Sequence, residues 1–252
     1  RILRPSVQRS GALATLEHGE DGRTAVRLGL AGVRGLSESV AERIAAGVPW
    51  RSSEDLVRRA GLRQGHLEAL AAAGALDEFG GSRRSLLWQA GAAAQSTADR
   101  LPGVVTGSEA PFLAPATEME RLADDMWALG LTADATAMEL CRDDLTRRGV
   151  TLAATLSSVE ANRVLVCGVV THRQHPETAN GAVFLNLEDE SGHVNVIFSK
   201  GAWLRWESVA RSHPILLIRG TLQRGQGVVA LNAEHVEPYG VAVATPASRD
   251  FR

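Results

Sequence analysis

Apolar residues change their spacing along this chain, and the changes mark out its elements. Leu28, Val33, Leu36, Val40 and Ile44 open the first patterned region, and the last three recur at i, i+4 and i+8, the spacing of one helical face. Gly32-Val33-Arg34-Gly35-Leu36-Ser37 interrupts that pattern, so the text predicts two short helical pieces with Ser37 as N-cap of a helix over Glu38–Ala46. Ser52 and Asp55 have the Ser-x-x-acid form of a capping box ahead of Leu56, Val57 and Ala60. A break at residues 61–65 precedes Leu67, Leu70 and Ala71, which run to Gly74, a natural helix stop. Residues 85–94 predict one more helix. Short strands are expected at residues 1–4 and 25–28. Residues 95–117 hold three prolines and no sustained period, the mark of a linker. Glu118–Leu129 then predicts an acidic amphipathic helix with Met119, Leu122, Met126 and Leu129 on one face, and residues 140–149 a shorter one.

Beyond residue 163 the pattern becomes one of β-branched runs. Residues 164–170 are apolar apart from Cys167 and Gly168, a polar loop is expected at 173–181, and the apolar text resumes at 183–187. Asp-Glu-Ser-Gly then predicts a hairpin turn into residues 194–198. A Trp-bearing helical patch follows at 202–211, then runs at 215–222 and 228–236. Five strands with a helix between the third and fourth is the order of an OB-fold, a small barrel that binds single-stranded nucleic acid in many proteins. The upstream helix, glycine turn and helix is the order of a helix-hairpin-helix, and two such units in tandem make one compact helical module. The fold class expected is therefore α+β and multidomain, a tandem helix-hairpin-helix module followed by a five-stranded OB-fold barrel.

Each pattern implies a chemistry. Backbone N–H groups at a glycine hairpin and a helix N-terminus hold a DNA phosphate without reading sequence, which nominates Gly32, Arg34, Gly35 and Ser37 as duplex contacts. The usual hairpin reads Gly-apolar-Gly, whereas this one reads Gly35-Leu36-Ser37, and an ordinary helical turn is the alternative reading. On the barrel, His172, Arg173 and His175 in the first loop, with Arg163, Arg219 and Arg224 behind them, are the candidates to meet a single strand through phosphate contact or stacking. Trp203 and Trp206 read as packing residues before base-stacking ones. The pairs Asp124-Asp125 and Asp143-Asp144 lack a partnering carboxylate pattern on a strand end, so no metal site is expected.

Composition narrows this further. Of 252 residues, 44% are hydrophobic and 22% charged, a globular balance, and no apolar run approaches the ~20 residues of a membrane helix. The formal net charge of −2 hides an uneven distribution. Residues 1–100 carry 14 Arg against 11 acids, residues 101–162 carry 4 against 10, and residues 163–252 carry 9 cations against 8 acids. That excludes a protein gripping nucleic acid over its whole surface and leaves local basic loops. Cys141 and Cys167 lack metal-ligand spacing and are expected as buried free thiols in a reducing cytoplasm. The chain opens on Arg1 without a charged-then-apolar leader, which reads as a cut within a longer chain and not as a signal peptide.

Three stretches in one order, GLAGVRGLSESVAERI, LEALAAAGALDEFG and VCGVVTHRQHPETANGAVFLNLEDESGHVNVIFS, resemble the C-terminal part of bacterial C-family DNA polymerases, relatives of the replicative DNA polymerase III α subunit. Thr171, His172, Arg173, Gln174, Pro176 and Thr178, the LNLEDE run, and the terminus ASRDFR directly after the barrel are most similar to the error-prone, damage-inducible branch. The resemblance implies residues 1–25 as the end of an upstream fingers-like region, 26–94 as the tandem hairpin module, 95–162 as a linker with acidic helices, 163–240 as the OB-fold and 241–252 as a tail. It also implies a parent nucleotidyltransferase whose catalytic palm, with its Mg2+, lies outside this chain, so no catalytic residue and no cofactor is expected here. The expected partners are primer-template duplex, template single strand and accessory mutagenesis proteins. A direct sliding-clamp contact is not expected, because Gln95 is followed by Ser-Thr-Ala-Asp and lacks the apolar pair of a clamp-binding peptide. Two alternatives stay open: a free-standing OB and hairpin nucleic-acid-binding protein, and a protein-interaction tail that recruits the polymerase to accessory partners.

Overall fold

The computed structural model describes residues 1–18, 22–101, 110–225, 228–240 and 249–251. The chain divides into two compact units, Arg1–Asp134 and Ala135–Arg252. Among the described residues no helix is long and apolar enough to cross a membrane.

The first unit begins with three short strands, β1 (Ile2–Leu3), β2 (Thr15–His18) and β3 (Thr24–Arg27), in the order β1-β3-β2. β1 and β3 were expected from sequence; β2 was not, because TLEH offers only one apolar residue to set a period. A single 3₁₀ turn, Leu30–Gly32, stands where the first helical piece was expected. Gly29 and Gly32 flank too few residues for an α-helical turn to close. Five helices follow: α1 (Glu38–Ala46), α2 (Ser53–Ala60), α3 (Gln64–Ala72), α4 (Arg83–Ala93) and α5 (Glu118–Leu129). Their starts are set by side-chain caps. Ser37, Ser52 and Ser82 accept from the amides of Val40, Asp55 and Ser85, and Thr117 and Glu120 form a reciprocal capping box. At α2 the box is only half made, since the Asp55 carboxylate accepts from Arg51 N–H and not from Ser52.

Leu30, Ile44, Leu56, Leu67, Leu70 and Leu76 lie fully buried at the centre of this unit. Helix α5 packs on α3, so the acidic helix expected within a linker belongs to the first unit. Its Asp125 is buried and accepts from Nη1 and Nη2 of Arg4, at 2.5 and 2.7 Å, and from Arg83 at 2.9 Å. The amino-terminal residues, α4 and α5 are thereby tied at one point. The buried member of the Asp124-Asp125 pair is thus an ion-pair acceptor within the first unit, and burial pushes the Asp124 carboxyl up.

The second unit begins with α6 (Ala137–Leu140), which was not expected, and α7 (Arg142–Arg147), which lies within the 140–149 span where a helix was expected. A 3₁₀ turn at Ala153–Thr155 leads into a barrel of β4 (Arg163–Gln174), β5 (Val183–Asp189), β6 (Gly192–Phe198), β7 (Ile215–Gly225) and β8 (Val228–Pro238), with α8 (Lys200–Ser212) between β6 and β7. The order is β5-β6-β8-β7-β4, and pairing of β4 with β5 closes the barrel. Only β6 and β8 run parallel within it. A short β9 (Arg249–Phe251) lies parallel to the far end of β4. Val166, Leu185, Leu187, Val196, Phe198, Ile218 and Leu231 fill the interior, and Trp203 of α8 meets Phe198 edge-on with ring centroids 5.6 Å apart. At Gly220 two strands pass so close that a Cβ would sit 2.1 Å from the Asn232 carbonyl oxygen. The hairpin turn was read correctly: the Asp189 carboxylate accepts from Ser191 N–H, Gly192 N–H and Ala153 N–H and so fixes it. Cys141 and Cys167 are buried free thiols, and burial pushes Cys167 up to about 12.

One expectation about the barrel is corrected. The polar loop at 173–181 begins later, because β4 continues through Gln174. Its last residues pair with β5 on one edge and β9 on the other, and the residue there that shares the inward face of Leu185 is Arg173, not an apolar one. The hydrophobic alternation therefore fades while the ladder continues.

Candidate nucleic-acid interface

At the hairpin, Gly35 has φ +78°, a conformation that suits glycine and turns the chain sharply into α1. Gly32, Arg34, Gly35 and Ser37 are all exposed. The Arg34 N–H, however, donates to the Ala128 carbonyl near the end of α5 at 2.8 Å, and the Arg34 guanidinium lies 5.2 Å from the centre of the Trp127 ring. Ser37 spends its hydroxyl on the Val40 amide. Among the described residues, the amides of Gly35, Ser37, Glu38 and Ser39 have no backbone acceptor, and these are the donors the positive end of α1 offers to an anion. Glu38 places a carboxylate at the same end, so the electrostatic gain there is reduced.

The six barrel candidates do not form one cluster. His172 stands opposite Asn186 and is half-buried at the end of β4; His175 is exposed just beyond the strand. Arg173 stands opposite the buried Leu185, and its Nε donates to the Ala210 carbonyl of α8 at 3.1 Å, which places its charge at a helix C-terminus. It belongs to a strand and a helix cap, not to a loop. Arg163 pairs with Glu234 at 2.5 Å. The Thr221 hydroxyl and Arg163 hold the Glu234 carboxyl below the usual carboxylate range. Arg219 is exposed on the neighbouring strand β7, opposite Leu165 and His235. Arg224 donates to the Val159 carbonyl at 2.6 Å and to Asn162 at 3.3 Å, holding the β7–β8 hairpin to the segment before β4. Trp206 donates to the Glu234 carbonyl and meets His235 edge-on, so both tryptophans pack.

A different set of side chains does share one face. Along β5 the outward residues are Phe184, Asn186 and Glu188; along β6 they are Ile197, Asn195 and His193, each directly opposite its partner. The β4 register extends two of these rows, putting Gln174 beside Phe184 and His172 beside Asn186. The result is a stackable row, Gln174-Phe184-Ile197, next to an amide row, His172-Asn186-Asn195. The Asn186 amide lies 3.4 Å from the Asn195 carbonyl oxygen, and Thr171 donates to Asn186 at 3.3 Å. None of Phe184, Asn186, His193 or Asn195 stood out as a charged or basic-loop candidate. The signal was the strict alternation in VFLNLED and HVNVIF, which assigns every second residue to one outer face.

Among the described residues no group of three or more His, Cys, Asp or Glu is placed to hold a metal ion, and Asp144 instead accepts from the Tyr239 hydroxyl and from Arg148. The donor set that a metal would need is therefore not assembled on these residues.

Comparison with known proteins agrees with the two units. Residues 1–86 match a helix-hairpin-helix motif family, and residues 164–239 match an OB-fold nucleic acid binding domain family. The error-prone DNA polymerase of Mycolicibacterium paratuberculosis is 46% identical over 98% of this chain, and that of Nocardia farcinica 44% identical over 98%. A small single-stranded DNA binding protein from Mycoplasma pneumoniae superposes on 31% of this chain and 92% of its own with a TM-score of 0.27 and 9% identity, a likeness too slight to bear on function. The chain spans 23% of the length of the M. paratuberculosis relative and 22% of the N. farcinica one. It carries two domains of nucleic-acid-binding type, and in sequence it belongs to the error-prone DNA polymerase family.

Proposed function

We propose that this chain is the DNA-handling segment of an error-prone, translesion DNA polymerase. The hairpin amides of Gly35 and Ser37, with the first turn of α1, hold duplex phosphates, and the β5–β6 face of the barrel guides the single-stranded template. The observation that carries this reading is the paired row on that face: an aromatic and an aliphatic side chain, Phe184 and Ile197, beside the amides of Asn186 and Asn195. A base stacks on Phe184 while the amides donate to and accept from base edges, and His172 and His175 sit at the rim where the phosphates pass. With few cations on the face, binding rests on stacking more than on counterion release. On this reading nucleotidyl transfer and its Mg2+ belong to the remainder of the parent polypeptide, and recruitment falls to accessory proteins.

The test is fluorescence anisotropy of the chain with single-stranded and primed DNA at low salt. Phe184→Ala is expected to weaken single-strand binding by about 5- to 160-fold, the equivalent of about 1–3 kcal/mol of base stacking. Arg224→Ala, a change in a hairpin brace, is expected to leave it within about twofold at permissive temperature. Equal binding by wild type and Phe184→Ala overturns the assignment of the face.

A further inference from the structure

The three-stranded sheet of the first unit has its polarity reversed. Register places Ile2, Val26 and Leu16 side by side on one face, and that face is open: they are 42%, 39% and 70% exposed. On the opposite face Arg27 is buried. Both ends of its guanidinium engage the Glu17 carboxylate, with Nη2 to Oε2 at 2.9 Å, and Nη1 donates to the Arg4 carbonyl at 2.9 Å. A sheet with one wet face puts its charges outward and its β-branched and aliphatic residues inward. Here a bidentate ion pair is turned in and a cross-strand row of Leu, Val and Ile is turned out. Leu13, 65% exposed just ahead of β2, adds to the apolar surface and helps line a depression of about 340 Å³ with Ala12, Leu28, Ala31, Leu129 and Leu131.

We propose that the Ile2-Val26-Leu16 face is an internal interface, covered in the complete protein by an apolar surface of the remaining polymerase polypeptide. The proposal rests on the family assignment and not on the DNA-binding reading. The relatives are more than four times as long as this chain, so most of such a polymerase lies outside the segment described. Size decides between that occupant and a second copy of the chain. A stable dimer buries about 800 Å² on each partner, far more than three side chains and a small depression supply. A tethered domain is held at an effective concentration near the millimolar range, so a small apolar patch is sufficient to keep it docked.

The experiment uses the full-length polymerase that contains this segment. Leu16→Cys and Val26→Cys, each smaller than the native residue and only weakly polar, are labelled with a maleimide and followed by peptide mass spectrometry, with Ala98→Cys as an exposed reference. Labelling at both positions is expected to be at least about tenfold slower than for the same variant in denaturant, while the reference slows little. Labelling of Leu16→Cys and Val26→Cys at the denatured rate overturns the proposal. Protection that disappears on dilution also overturns it, in favour of a second copy. Neither readout depends on DNA, so failure of the DNA-binding assay leaves this result interpretable.

Discussion

Asp125 is a buried anion that joins two cations of the first unit. Its carboxylate is 3% exposed and holds two guanidinium groups, Arg4 at 16% and Arg83 at 9% exposure. Asp125→Ala removes three charge-assisted hydrogen bonds and leaves both cations in a poorly hydrated site. Breaking a buried pair by deleting one partner costs about 3–5 kcal/mol. Arg4 keeps a bond to Asp134 at 2.6 Å, and Arg83 keeps a long contact with the Ala72 carbonyl at 3.4 Å and the nearby charges of Asp77 and Asp124, so the lower end of that range applies. For a unit of this size, an unfolding entropy of about 2 cal/mol/K per residue converts a loss of about 3 kcal/mol into a fall of about 10 °C in Tm. Asp125→Asn keeps the shape and one acceptor and is expected to lose about half as much. Calorimetry gives the size of the change, and hydrogen exchange locates it: amides of α3, α4 and α5 are expected to lose protection while those of β7 keep theirs. A loss below about 1 kcal/mol for Asp125→Ala would show that Arg4 and Arg83 find water or other partners, and the account of this site would be wrong.

Two further outcomes concern the barrel. Gly220→Ala places a methyl group on the Asn232 carbonyl oxygen in a strand that cannot move without opening the barrel, and it is expected to cost about 1–3 kcal/mol in a urea titration, whereas Gly225→Ala, with open space around it, costs far less. Cys167 gives a pH dependence with a definite sign: burial holds its thiol protonated to about pH 12, while in the unfolded chain it ionises from its ordinary value of 9.0. The unfolded state thus loses a proton first, and stability falls as pH rises through that window, by at most about 1.4 kcal/mol per pH unit. The urea midpoint of wild type should therefore decline more steeply between pH 9 and pH 10 than that of Cys167→Ala, and parallel slopes would remove the thiol from the account.

The elements with a strong period or an unambiguous cap were legible from the chain. Ser37 marked the start of α1, Glu118 and Leu129 bounded α5, and the β-branched runs gave all five barrel strands in order. Illegible parts were those where local pattern is weak and tertiary pairing decides. β2 carries one apolar residue, and the end of β4 is polar because it lies at a rim. The candidate site was less legible than the fold for a different reason. Selecting cations picked residues with long side chains that the fold uses as braces: Arg173 on α8, Arg224 on Val159, Arg163 on Glu234. Apart from Glu188 and His172, the shared face is built from residues such as Phe184, Asn186, Asn195 and Ile197 whose only mark is alternation, and alternation places residues on a face without saying which face meets a ligand.

The short strand β9 has a consequence for how any ligand approaches the barrel. A closed barrel has no free strand except where one strand outruns its neighbours, and β4 does so at His172, Arg173 and Gln174, beyond the end of its pairing with β7. β5 takes one side of that overhang and β9 the other. The main-chain donors and acceptors that would otherwise zip onto a foreign extended peptide are already spent on the protein's own chain. A visiting polymer therefore meets side chains and not a vacant ladder on β4, and among the described residues the sheet edge at this rim is moved outward to three residues of β9, too short to template a long extended peptide.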